Sequence, residues 1–126
     1  MLKQPKMFTD KMSKTQTIKL TVNCTSRNTI LQATAPNCTI TVSTGLLGFV
    51  GAKRSSPHAA QQTAEFMAEK LVEHRFMNIM LIFKGFNKGR KSVIKGLKKQ
   101  QINILKLVDK STVAHNGCRL PKKRRL

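Results

Sequence analysis

The sequence predicts an α/β fold: a mixed sheet of about five strands flanked by two helices, with extended basic tails. Three observations carry this expectation. Three short segments alternate apolar and polar residues at period two, and two others carry apolar residues at helical spacing. The C-terminal half runs strand, helix, strand, an order that produces right-handed crossovers onto a sheet covered by helices.

Residues 1–16 are polar and basic, contain Pro5 and show no period. They read as a loose N-terminal arm, and they lack the apolar centre of a secretory signal. The segments "TIKLTVN" (17–23), "NTILQAT" (28–34) and "CTITVST" (38–44) follow. Each is rich in Ile, Val and Thr and alternates as a half-buried strand does. The links "CTSR" and "APN" are short enough for hairpins, so an antiparallel meander is the simplest arrangement.

"GLLGFVGAKRSSP" (45–57) breaks the alternation and ends in a helix-entry signal, with Ser56 as N-cap and Pro57 at the first helical position. The helix runs to about Arg75. Ala60, Ala64, Met67 and Leu71 form its apolar stripe, while Glu65, Glu69 and Glu73 share another face. "NIMLIFK" (78–84) reads as a buried strand and "GFNKGR" (85–90) as a loop. "KSVIKGLKKQQ" (91–101) is a short basic helix with Ile94 and Leu97 inward, and "INILKLVDK" (102–110) is the last strand. The chain thus divides into an arm (1–16), an α/β domain (17–110) and a basic tail (111–126).

Charge narrows the function. Lys and Arg number 24 against 5 acids, a formal net charge of +19. A compact body with that charge repels itself unless it lives against a polyanion, whether nucleic acid, an anionic membrane surface or acidic protein. From Lys84 onward there are fourteen Lys or Arg and one acid, Asp109. No apolar run reaches the ~18 residues of a membrane span. Cys24, Cys38 and Cys118 are an odd number without close pairing, which argues for a reducing compartment and against a disulfide framework.

Two motifs sit where a strand hands over to a helix, the place where backbone N–H groups cradle phosphate. In "KGFNKGRKS", Gly85 and Gly89 are one residue too close for the nucleotide-binding loop, and Arg90 precedes Lys91. NTP hydrolysis is therefore not indicated. What survives is phosphate binding by Lys84, Lys88, Arg90 and Lys91 or, more plainly, a solvated Lys-rich turn. "GFVGAKRSSP" repeats the design with Lys53, Arg54, Ser55 and Ser56, against the alternative of an ordinary connection with a serine cap. In a strand–helix–strand layout both helix starts lie on one sheet edge.

His115 and Cys118 lack a second pair to complete a metal site. Five acids without apolar surroundings give no general-acid pair, and no cofactor is implied, so an enzyme is not expected. The tail "HNGCRLPKKRRL" reads as a nuclear-import patch, a solvated end, or an extension inserted into folded RNA. Gly117 and Pro121 keep it from being helical.

That tail closely resembles the C-terminal signature of the universal small-subunit ribosomal protein eleven family, which ends His-Asn-Gly-Cys-Arg-Pro-Pro-Lys-Lys-Arg-Arg-Val. Asn116 to Arg119 and Pro121 to Arg125 fit position by position; Leu120 and Leu126 depart. "GFVGAKRSSPHAAQ" is similar to the family's Gly-Phe-Arg-Gly-Ser-Arg-Lys-Ser-Thr-Pro-Phe-Ala-Ala-Gln. "KGFNKGR" is similar to Lys-Gly-Pro-Gly-Pro-Gly-Arg, and "RNTI" (27–30) to Asn-Asn-Thr-Ile. Val50 stands where a basic residue is usual, and Phe86-Asn87-Lys88 where the family has Pro-Gly-Pro.

The resemblance implies a non-enzymatic constituent of the small ribosomal subunit with the mixed-sheet fold already derived. It implies contacts to small-subunit ribosomal RNA in the platform, near the messenger exit site and messenger RNA, beside other platform proteins, and no homo-oligomer. Carried onto this chain, its RNA-binding residues are Arg27, Asn28, Lys53, Arg54, Ser55, Ser56, Lys84, Gly85, Asn87, Lys88, Gly89, Arg90 and Lys91 in the domain. In the tail they are His115, Asn116, Gly117, Arg119, Lys122, Lys123, Arg124 and Arg125. A Lys/Asn/Ile-leaning composition without Trp or Tyr is more like a mitochondrial member, with plastid or bacterial cytoplasm as alternatives. The rival from another class is a free regulatory nucleic-acid-binding protein with an import-like tail. Bacterial members are also known for isoaspartate at the position of Asn116, which an Asn-Gly pair favours chemically; tight packing by RNA is the circumstance that would leave it intact.

Overall fold

A computed structural model describes residues 16–126, so residues 1–15 of the N-terminal arm read at 1–16 lie outside the described residues. Its strands are β1 (Thr17–Cys24), β2 (Thr29–Thr34), β3 (Thr39–Ser43), β4 (Asn78–Lys84) and β5 (Asn103–Asp109). The helices are α1 (Pro57–Glu73) and α2 (Gly89–Lys99), and a 3-10 turn spans Gly51–Ser55. The five strands form one mixed sheet in the order β3-β2-β1-β4-β5, as expected of the fold class. β1, β2 and β3 pair as the antiparallel meander; β4 lies parallel to β1, and β5 parallel to β4.

Both crossovers run in the same direction across the sheet, and their shared hand puts α1 and α2 on one face. There they pack against each other and the inward residues of the strands. Ile18, Leu20, Val22 and Cys24 alternate into this core from β1, with Leu31 and Ala33 from β2. Ala60, Ala64, Met67 and Leu71 face them from α1, all fully buried, so the predicted stripe is the packed one. Each buried Leu, Ile or Met of this set contributes about 1.5–3 kcal/mol. The opposite face carries Lys19, Asn23, Gln32, Thr34, Thr39 and Thr41, all exposed.

Local signals decide the ends of α1. Ser56 Oγ accepts a hydrogen bond from the Ala59 N–H at 3.1 Å, and Pro57 opens the first turn. At the other end Arg75 takes a left-handed φ of 62°. The Phe76 N–H then donates to the Leu71 carbonyl at 2.8 Å and the Arg75 N–H to the Val72 carbonyl at 2.9 Å, the paired bonds of a Schellman stop. Phe76 buries its ring beyond that stop.

Two details differ from the sequence reading. α2 begins at Gly89 rather than Lys91, because Asn87 Oδ1 accepts from the Gly89 N–H at 2.7 Å and so opens the helix two residues early. The 45–57 connection, to which the sequence assigned no element before Ser56, contains the 3-10 turn Gly51–Ser55. In α2, Val93 and Leu97 are fully buried and Ile94 packs at the rim of the core.

Candidate nucleic-acid interface

Parallel alignment of β1, β3 and β4 brings their C-terminal ends to one edge of the sheet. Four chain segments meet there: the β1–β2 hairpin, the β3–α1 connection, the β4–α2 loop, and the exit from β5 into the tail. Direct bonds tie them together. Asn87 Nδ2 donates to the Thr25 carbonyl at 2.9 Å and to Thr29 Oγ1 at 3.2 Å, linking the β4–α2 loop to the hairpin. Asn28 Oδ1 accepts from the Thr29 N–H at 2.9 Å and from the Thr44 hydroxyl, linking the hairpin to the end of β3. Gly85 has φ 80° and lies against the Cys24 carbonyl, where any Cβ would collide with backbone.

Arg90 holds the fourth segment. Its guanidinium donates to Asp109 at 2.8 Å, to Ser111 Oγ at 2.9 Å and to the Gly85 carbonyl. Its Cζ stands 5.2 Å from the ring centroids of both Phe83 and Phe86, a cation between two aromatic faces. Asp109 in turn accepts from the Ser111 N–H and hydroxyl. Hydrogen bonds from Arg90, then from Ser111, pull the Asp109 carboxyl from its ordinary 3.8 down to about 2. The one acid from Lys84 onward is thus spent on fixing where the tail departs.

The expected site residues therefore fall into two groups. Asn28, Asn87 and Arg90, with Gly85 and Gly89, form a frame whose polar atoms serve the chain itself. Ser56 caps α1, Ser55 donates to the Ala52 carbonyl at 2.8 Å, and Arg54 Nε donates to the Phe49 carbonyl at 2.9 Å. Arg27, Lys53, Lys84, Lys88 and Lys91 are exposed around that frame. Arg27, Gly51, Ala52, Arg54 and Ser55 line a cavity of about 450 Å³ between the hairpin and the 3-10 turn. Phe86, Asn87, Lys88, Arg90 and Lys91 line a second of about 410 Å³. The first turn of α2 holds no acid, so its positive end is left for an anion.

Beyond Lys110, residues 111–126 form neither helix nor strand and are all exposed, including His115, Asn116, Gly117, Arg119 and Lys122 to Arg125. Sequence reasoning missed Thr25, Thr29, Thr44, Asp109 and Ser111 as members of the frame. Asp109 had a usable signal: a single acid among fourteen cations is a natural partner for one of them.

Among the described residues no three His, Cys, Asp or Glu side chains gather as metal ligands, and no helix is long and apolar enough to cross a membrane. Cys24, Cys38 and Cys118 are free thiols, and burial raises the Cys24 pKa.

Comparison with known proteins gives the family. A family model described as ribosomal protein S11 matches residues 18–125. The chain is 41% identical over 107 residues to small ribosomal subunit protein uS11c of Oltmannsiellopsis viridis, covering 83% of each chain. It is 36% identical over 107 residues to small ribosomal subunit protein uS11m of Prototheca wickerhamii, covering 83% of this chain and 84% of that one. A family match over residues 18–125, with relatives 36–41% identical over 83% of the chain, makes this protein a member of the ribosomal protein S11 family, a structural, non-enzymatic constituent of the small ribosomal subunit.

Proposed function

We propose that the chain binds small-subunit ribosomal RNA through the sheet edge that carries the two helix starts and the tail. One observation supports this above the rest. Arg27, Lys53, Lys84, Lys88 and Lys91 stand exposed around a rigid frame on the same edge from which the basic tail departs. Free cations on a fixed base neutralise phosphates at little ordering cost, and phosphate contacts set register on RNA. Arg54 and Ser55 add polar groups on the rim of the first cavity, while Ser56 beside them caps α1. Asn28, Asn87, Gly85, Gly89 and Arg90 act here as positioning residues that hold the loops against the RNA.

The tail, with His115, Asn116, Gly117, Arg119 and Lys122 to Arg125, is ordered by RNA around it. A free extended strand loses about 1–2 kcal/mol of backbone entropy per residue on fixing, a cost that only surrounding phosphates and bases offset. The reading places the protein in the platform near the messenger exit site, in contact with neighbouring platform proteins and messenger RNA, as a single copy. Its ribosome is organellar, mitochondrial rather than plastid; the relatives named above are of both organellar types.

Measuring affinity for a small-subunit ribosomal RNA transcript across a salt series tests this. Replacing Lys84, Lys88 and Lys91 together by Ala should weaken binding and reduce the slope of log affinity against log salt by about 2–3. An unchanged slope removes this loop from the interface. Recovery of the wild-type protein among free soluble proteins, rather than in small-subunit particles, overturns the ribosomal placement as a whole.

A further inference from the structure

Phe86 is the one exposed phenylalanine among the described residues, at 84% exposure. An aromatic ring left in water forgoes the stabilisation that burial brings, and this one projects from a loop otherwise made of Gly, Asn and Lys. Its mounting is rigid. Behind it the Arg90 guanidinium lies over the ring at 5.2 Å, backed in turn by Phe83 and pinned by Asp109. On either side, Gly85 is held against the Cys24 backbone and Asn87 is bonded to Thr25, Thr29 and Gly89. The ring forms one wall of the 410 Å³ cavity whose other walls are Asn87, Lys88, Arg90 and Lys91.

We propose that Phe86 is a stacking platform for an unpaired nucleobase of RNA, with Lys88 and Lys91 holding the phosphates that flank it. The inference deepens the RNA-binding reading and rests on it. An apolar planar face beside two free ammonium groups matches the two halves of a nucleotide, and the cavity falls in the size range of small-ligand sites. Bases inside a duplex have no free face, so the occupant comes from a loop, bulge or single strand. The Asn87 amide is engaged by the chain's own loop at both Nδ2 and Oδ1, so it is not available to read base edges. Recognition here is by stacking, and it tolerates any base.

The test uses the full chain and a small-subunit ribosomal RNA transcript. F86A and F86L should each weaken binding roughly five- to a hundredfold while leaving the salt slope unchanged, because no phosphate contact is lost. The chain has no Trp and no Tyr, so F86W introduces a lone indole reporter. It should keep wild-type affinity or better, and its fluorescence should be quenched as RNA is added. Wild-type affinity in F86A, full affinity in F86L, or an unquenched indole in F86W overturns the stacking site. If F86A binds RNA normally but is lost from assembled particles, the ring meets a protein surface and the proposal also falls. Absence of wild-type binding to the transcript overturns the RNA reading itself, whereas a normal wild-type with a normal F86A overturns the stacking alone.

Discussion

Asp109 shows what one side chain does at the interface edge. Its carboxyl joins Arg90 to Ser111, and those hydrogen bonds lower its pKa to about 2 from the ordinary 3.8. A carboxyl with a depressed folded-state pKa adds stability that is fully present above its unfolded value and is lost as pH falls through the folded one. The window is thus about pH 4 down to about 2. Wild type should lose thermal stability on acidification across that window. D109N should start lower at neutral pH and decline less steeply, as followed by thermal melts in a pH series. Some decline remains in the variant, because hydrogen bonds from Gln61 and then Lys99 also lower the Glu65 pKa. Asn116 offers a second test at this scale. It is exposed, carries φ 51° and precedes Gly117, whose unhindered backbone nitrogen can attack its carboxamide. Peptide mass spectrometry of the free protein after neutral incubation should show deamidation at Asn116. The same incubation with bound ribosomal RNA should suppress it, and G117V should slow it without RNA.

Between elements, the contact of α1 with α2 decides how closely the second helix start approaches the hairpin. Gly96 is buried in that contact. An added Cβ would stand 2.7 Å from Ala64 Cβ and 2.7 Å from the Gln61 carbonyl oxygen, backbone that cannot swing aside. At an open helix position Gly→Ala gains about 1 kcal/mol from propensity. Here overpacking reverses the sign, so G96A should destabilise by about 1–3 kcal/mol in urea unfolding. It should also weaken RNA binding, because spreading the helices moves Lys88 and Lys91 away from the hairpin. A stabilised G96A would mean that α1 and α2 part without cost. The helices' own ends were legible beforehand only where a local signal exists. Ser56 and Pro57 announce α1, whereas the start of α2 at Gly89 is set by Asn87, whose bond to the Gly89 N–H depends on a loop held from across the sheet.

For the whole molecule, core and tail are separate in energy. Among the described residues, all the buried apolar ones lie between Ile18 and Ile102, and none of residues 111–126 is buried. Deleting residues 117–126 should therefore change unfolding free energy by less than about 0.5 kcal/mol while impairing incorporation into small-subunit particles. Unfolding of the shortened chain would place part of the core in the tail. Charge follows the same division. Glu65 pairs with Lys99 at 3.1 Å and Glu73 with Lys70 at 2.9 Å on the helix side, while the tail carries Arg119 and Lys122 to Arg125 with no acid.

Period-two alternation through residues 17–44, the Ala60–Leu71 stripe and the strand–helix–strand order determined the fold class by themselves, because they record which faces must leave water. The tail motif determined the family in the same local way. The tertiary structure alone decided which cations are free. Arg90 and Lys91 are neighbours with equal formal charge, yet Arg90 is tied to an acid nineteen positions away and Lys91 stays in solvent. Asn87 likewise has its amide nitrogen claimed by Thr25 and Thr29, and Asn28 its amide oxygen by Thr29 and Thr44. Phe86 stands exposed because Arg90 backs it and its loop is bonded on both sides. Such pairings depend on the parallel register of β4 with β1 and β5, which brings distant loops within hydrogen-bonding reach at one edge. Spacing along the chain carries no record of that register, since it arises only when the helices dock and the sheet closes up.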